Sequence, residues 1–105
     1  MGETREIIEA LEFIKNNSPK LHLYVAASIL SRVNKGTHRI SFVDIRKTLG
    51  SIFHVNKQSQ IMILKELESY KLILRINRKE YLIPFTKEEY EKMFNEKEGE
   101  ADETY

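Results

Sequence analysis

Apolar residues recur at helical spacing near the start of the chain. Ile7, Ile8, Leu11 and Ile14 fall on one stripe, with Glu6, Glu9, Glu12 and Lys15 between them. This pattern predicts a helix over residues 4–16, with Thr4 as its N-cap. Asn16-Asn17 breaks the pattern. Ser18-Pro19 restarts it, with Ser18 as N-cap and Pro19 at the first helical position. The second helix, residues 19–34, is apolar almost all round: Leu21, Leu23, Tyr24, Val25, Ala26, Ala27, Ile29, Leu30 and Val33. Such a helix is buried on more than one side, either in the centre of the domain or against a second chain. Gly36 stands where a helix-ending glycine is expected.

Residues 37–40 read as a short extended stretch. Ser41 and Asp44 then give a capping-box-like start to a third helix that ends near Leu49-Gly50. Phe42, Val43, Ile45 and Leu49 are its apolar positions, and Arg46 and Lys47 lie on the other face. A turn over residues 50–55 supplies Ile52 and Phe53 as core plugs. Asn56 caps a fourth helix, residues 57–71, whose core stripe is Leu64, Leu67 and Tyr70, with Ile63. Residues 72–76 and 81–84 read as two strands around Asn77-Arg78-Lys79, where Asn77 tolerates the positive φ of a tight hairpin. Pro84 stops the second strand. Thr86 and Glu89 form a capping box for a last helix over 86–98, with Tyr90, Met93 and Phe94 on one face. Residues 99–105 are acidic, lack a large aliphatic anchor and are expected to be disordered. The expected domain therefore spans residues 1–95.

A length of 105 residues fits one domain with one modest core. The absence of Cys removes disulfides, thiolate metal sites and cysteine nucleophiles together. No apolar stretch reaches the roughly 20 residues of a membrane span. The first residues show no apolar signal core, so a cytoplasmic, nucleoid-associated location is expected. The net charge of +1 hides a strong asymmetry. Residues 32–79 carry eleven basic and three acidic side chains, net +8. Residues 1–31 sum to −1 and residues 80–105 to −6. A basic middle of this strength points to a polyanionic partner.

The order is helix, short strand, helix, turn, helix and hairpin. Phe42-Val43-Asp44-Ile45-Arg46-Lys47-Thr48-Leu49 looks like a supporting helix. The stretch from Ile63-Leu64-Lys65-Glu66-Leu67-Glu68 to Leu72-Ile73 looks like the end of a recognition helix. Residues 74–83, with Arg75, Asn77, Arg78 and Lys79, look like a wing. Together these resemble the winged helix-turn-helix family of small transcription regulators, common in archaea and in their viruses and plasmids. The resemblance covers about half the chain, 40–84. Two departures stand out: Lys71 occupies a place often held by Gly, and the wing tip has no Gly. The resemblance implies a mainly α protein with a small β-hairpin wing, an α+β class, with extra helices at both ends. It also implies a helix-turn-helix over 41–71 and a wing over 72–84.

What the resemblance implies for function is double-stranded DNA binding, with the recognition helix in the major groove and the wing on the backbone or minor groove. On the fourth helix, Gln58, Met62 and Lys65 lie away from the core stripe, and Lys57 and Ser59 sit in its first turn. These five are the expected base-side residues, and Gln58 has the geometry to pair with adenine. Arg75, Arg78 and Lys79 suit phosphates or a narrow minor groove. Arg39, Arg46 and Lys47 are expected on the DNA backbone. Against this stands the plainer reading that each Lys merely solvates a surface and that Gln58 and Ser59 serve only as caps. Gln60 falls toward the core side, with no evident reason in the sequence.

Chemistry of other kinds is not legible. His22, His38 and His54 give no metal-ligand pair at helical spacing. No Gly-rich phosphate loop and no paired acids in a cleft are visible, so neither an enzyme nor a cofactor is expected. A homodimer is expected through Leu23, Ala27, Leu30, Ile7, Leu11, Tyr90 and Phe94. Abundant Ile, Lys and Glu with only two Gln fit a thermophile. Two other functions stay open: a winged-helix module for protein assembly, and a nonspecific architectural DNA-binding protein.

Overall fold

Among the described residues, five helices and three short strands follow one another in the computed structural model. They are α1 (Gly2–Asn17), α2 (Leu21–Asn34), β1 (His38–Ser41), α3 (Phe42–Phe53), α4 (Lys57–Ser69), β2 (Leu74–Arg75), β3 (Glu80–Ile83) and α5 (Lys87–Glu103). The structure describes residues 2–34 and 38–103, with side chains described for 5–32 and 38–96. Gly36, Thr37 and the side chain of Val33 lie outside the described residues. The class is mainly helical α+β with a three-stranded antiparallel sheet, as the pattern of periods suggests.

The sheet order is β1-β3-β2, so β3 is the central strand. In register, His38 faces Ile83, Ser41 faces Glu80, Leu74 faces Leu82 and Arg75 faces Tyr81. The short extended stretch before α3 thus pairs with the far arm of the hairpin. Tyr81, Leu82 and Ile83 are all buried, because both faces of the central strand are covered.

Helix α2 is the hub and packs against α5, α3, α4 and β3. This explains its all-round apolarity without a second chain. Leu23, Ala27, Leu30 and Tyr90 are 0% exposed. The expectation that these four form a dimer surface is therefore corrected: they are core side chains, each buried Leu contributing about 1.5–3 kcal/mol. Ile7, Leu11 and Phe94 remain half-buried, and Val25 and Ile8 are exposed. The buried Ser31 hydroxyl donates to the Phe85 carbonyl at 3.0 Å, and the Tyr90 hydroxyl donates to the Leu72 carbonyl at 2.6 Å. Both bonds satisfy polar groups that burial would otherwise penalise. Burial pushes the Tyr90 phenol well above its ordinary pKa. Phe85 and Tyr90 also meet edge to face at 5.5 Å.

Several boundaries differ from expectation. Thr4 lies inside α1 rather than capping it. Ser18 ends α1 instead of starting α2: its φ is 45° and its N–H donates to the Ile14 carbonyl at 3.1 Å. Pro19 is buried ahead of α2. Helix α3 runs through Gly50 to Phe53 and closes at His54 with φ 53°, so most of the expected 50–55 turn is helical. Gly50 answers a close approach instead of ending the helix, since a Cβ there would collide with the Gln60 side-chain amide. Val43, expected in the core, is exposed.

Three of the caps match the sequence. The Asp44 N–H donates to Ser41 Oγ at 3.1 Å, and the Ser59 N–H to Asn56 Oδ1 at 2.9 Å. Thr86 and Glu89 bond reciprocally: Thr86 N–H to Glu89 Oε1 at 3.0 Å and Glu89 N–H to Thr86 Oγ1 at 3.2 Å. Helix α5 continues to Glu103, so residues 99–103, expected to be disordered, are helical. Glu, Lys and Ala favour helix strongly enough to carry it past Gly99.

Candidate nucleic-acid interface

Helix α4 begins at the Asn56 cap and ends in a Schellman motif two residues short of expectation. The Lys71 N–H donates to the Glu68 carbonyl and the Leu72 N–H to the Leu67 carbonyl, both at 3.0 Å. Lys71 takes the left-handed conformation there, with φ 62°, where glycine is the usual choice. Its ammonium lies 5.6 Å from the Phe13 ring centroid, which gives the long side chain a partner.

Three links hold α3, α4 and the hairpin in one frame. Gln60 accepts from Arg46 Nη1 at 3.0 Å and donates to the Val55 carbonyl at 2.8 Å. One side chain thus ties α4 to α3 and to the turn between them. Its inward position, unexplained in the sequence, has this cause, and Gly50 supplies the space. The Phe42 N–H donates to the Lys79 carbonyl at 2.7 Å, joining the start of α3 to the hairpin tip. Tyr81 on β3 lies beside the Glu68 carboxylate of α4; burial first, and then this carboxylate, raises the Tyr81 pKa.

The solvent face of α4 carries Lys57, Gln58, Met62 and Lys65, all exposed. Ser59 is half-buried, and its N–H serves the cap. The Gln58 side chain makes no hydrogen bond among the described residues, so capping does not occupy it. At the hairpin, Arg75, Arg78 and Lys79 are exposed. Asn77 shapes the tip in a different way from that expected. Its φ is not positive; its side-chain oxygen instead accepts from the N–H groups of Lys79 at 2.8 Å and Glu80 at 3.0 Å. Arg39 on edge strand β1 and Lys47 on α3 are exposed, whereas Arg46 is half-buried and engaged with Gln60. Arg46 is therefore first a positioning residue.

The electrostatics follow from the pairing. The ion pairs among the described residues are Arg5–Glu9 on α1 and Lys87–Glu91 on α5. Among the described residues, no Lys or Arg side chain between Arg32 and Lys79 has a described carboxylate within 4.0 Å. The described cations of this segment are thus left unpaired by the described carboxylates. An open cleft of about 540 Å³ between α1, the end of α4 and β2 is different, since Glu6, Glu9 and Glu68 line it beside Lys71 and Arg75. Mixed signs there oppose phosphate binding.

The three histidines do not converge. His22 meets Phe53 edge to face at 6.1 Å, His54 closes α3, and His38 lies on β1 with its pKa lowered by burial. Among the described residues no group of three or more His, Cys, Asp or Glu could hold a metal ion. No described helix is long and apolar enough to cross a membrane. Sequence reasoning missed Gln60 and the Tyr81–Glu68 contact as positioning elements; a glycine inside a helical pattern, Gly50, is the signal that could have found the first. No family model matches the chain, and comparison with curated proteins and with solved structures gives no significant match.

Proposed function

We propose that the chain is a winged helix-turn-helix protein that binds double-stranded DNA without catalysing a reaction, as a small transcription regulator. The observation that carries this is the basic segment 32–79, whose described Lys and Arg side chains have no described carboxylate at short range. It coincides with α3, α4 and the hairpin, linked through Gln60, Phe42–Lys79 and Tyr81–Glu68. In this reading α4 enters the major groove with Lys57, Gln58, Met62 and Lys65. Arg75, Arg78 and Lys79 hold the backbone from the hairpin, and Arg39 and Lys47 from the flanks. Two copies pair through the outward parts of Ile7, Leu11 and Phe94, with Ile8 and Val25 beside them, to span two half-sites.

A gel-shift titration on random and genomic duplexes at two salt concentrations tests the reading. About five phosphate contacts imply a loss of roughly 500-fold in affinity between about 50 and 200 mM salt. Arg78→Glu and Lys57→Glu weaken binding, and sedimentation gives twice the chain mass. Absence of retardation at low salt removes the DNA-binding reading. A second reading, a protein-assembly module, draws on the exposure of Met62, Val43 and Ile76, at 63%, 46% and 38%. It predicts partner capture that survives charge reversal.

A further inference from the structure

Met62 is the one large apolar side chain of α4 that is exposed, with half-buried Ile61 beside it. Met62 is 63% exposed, the most exposed of the large hydrophobic residues described. Its surroundings on that face are polar: Gln58 one turn before it, Lys65 and Ser69 after it. The other exposed apolar residues of this half of the chain, Val43 and Ile76, stand on α3 and the hairpin. Docking surfaces for proteins are contiguous apolar patches. A single flexible, polarisable thioether in a polar and basic face suits a small apolar target instead.

The spacing narrows the target. Gln58 and Met62 are four residues apart, about 6 Å along the helix axis. Successive base pairs are about 3.4 Å apart, so the two side chains meet base pairs one or two steps apart. In the major groove only thymine presents a methyl group, and a primary amide pairs bidentately with adenine N6 and N7. Residues 57–65 contain no carboxylate, whereas Glu66 and Glu68 follow. Residues 57–65 thus bring no negative charge of their own to a groove, and Gln58 and Met62 lie within them.

We propose that Gln58 and Met62 form a two-residue reader of A·T base pairs, with Gln58 on an adenine edge and Met62 on a thymine C5-methyl. This rests on the DNA-binding reading above and adds the base chemistry of the target. The test uses the full chain and three short duplexes in fluorescence anisotropy at low salt. One is of alternating A·T pairs, one is identical with every thymine replaced by uracil, and one is of G·C pairs. The wild type binds the thymine duplex best and the uracil duplex about fourfold more weakly for each methyl contacted. Met62→Ala binds the thymine and uracil duplexes equally, and Met62→Leu restores the difference. Gln58→Ala loses the preference for A·T over G·C. Equal wild-type affinity for thymine and uracil duplexes, with salt-dependent binding intact, overturns the inference alone. So does a thymine preference that survives Met62→Ala, since duplex shape would then be its source. No binding to any duplex overturns the DNA-binding reading and the inference with it.

Discussion

Gly50→Ala has an expected sign opposite to that of helix propensity. Gly50 lies within α3, where Ala is favoured over Gly by about 0.8–1 kcal/mol. Propensity alone makes the substitution stabilising. The added methyl, however, occupies the place of the Gln60 amide. Gln60 then gives up its bonds to Arg46 Nη1 and the Val55 carbonyl. Each is worth about 0.5–1.5 kcal/mol, with the Arg bond near the upper end. The net effect in the wild type is a destabilisation of about 1 kcal/mol. In a Gln60→Ala background the two bonds are already gone and the space is open. There Gly50→Ala stabilises by about 1 kcal/mol, which makes the coupling about 2 kcal/mol. Urea unfolding of the four proteins, followed by circular dichroism, measures every arm of the cycle. If Gly50→Ala stabilises both backgrounds equally, the Gln60 link between α3 and α4 is refuted.

Other substitutions test separate parts of the fold. Lys71→Gly relieves a left-handed φ that costs an L residue about 1–2 kcal/mol but loses the Phe13 contact, so a net gain near 0.5 kcal/mol is expected in the urea midpoint. Tyr90→Phe leaves the Leu72 carbonyl without its buried donor and lowers stability by about 1–3 kcal/mol in thermal unfolding. His38 has its pKa lowered from 6.5 by burial, so the unfolded chain binds more protons between the lowered value and 6.5. Stability is complete above pH 6.5 and declines as pH falls below it. Melting curves of His38→Gln at several pH values show a shallower decline if burial of the neutral ring is the cause.

The helices were legible because their signals are local. Ser41 with Asp44, Asn56 with Ser59, and Thr86 with Glu89 are cap pairs three residues apart, and all three form. The basic surface was legible for the same reason, since Lys57, Lys65 and Arg78 interrupt apolar spacing. What escaped depends on contacts distant in sequence. The apolarity of α2 allowed a second chain or a central place equally, and only the packing of α5, α3, α4 and β3 around it decides for the centre. Gly50 carried a helix-stop signal by residue type, yet its role is set by Gln60. Ser18 matched an N-cap by type, although its backbone closes the helix before it. The acidic end, judged by composition, underrated the helix propensity of Glu and Lys.

The β1–β3 ladder joins residues 38–41 to residues 80–83. During synthesis, at about 5–20 residues per second, β3 is made roughly 2–9 s after β1. Helices α3 and α4 are complete well before then, with no central strand to hold β1 and no Tyr81 to meet Glu68. Tyr90, which bonds the Leu72 carbonyl, arrives later still. The nascent chain therefore displays its cations before its sheet exists. Nine of the sixteen acidic residues follow residue 79 and so are made after the basic segment. Folding of the sheet therefore waits for residues 80–90, and a product stopped before them would carry the basic segment without β3 to order it.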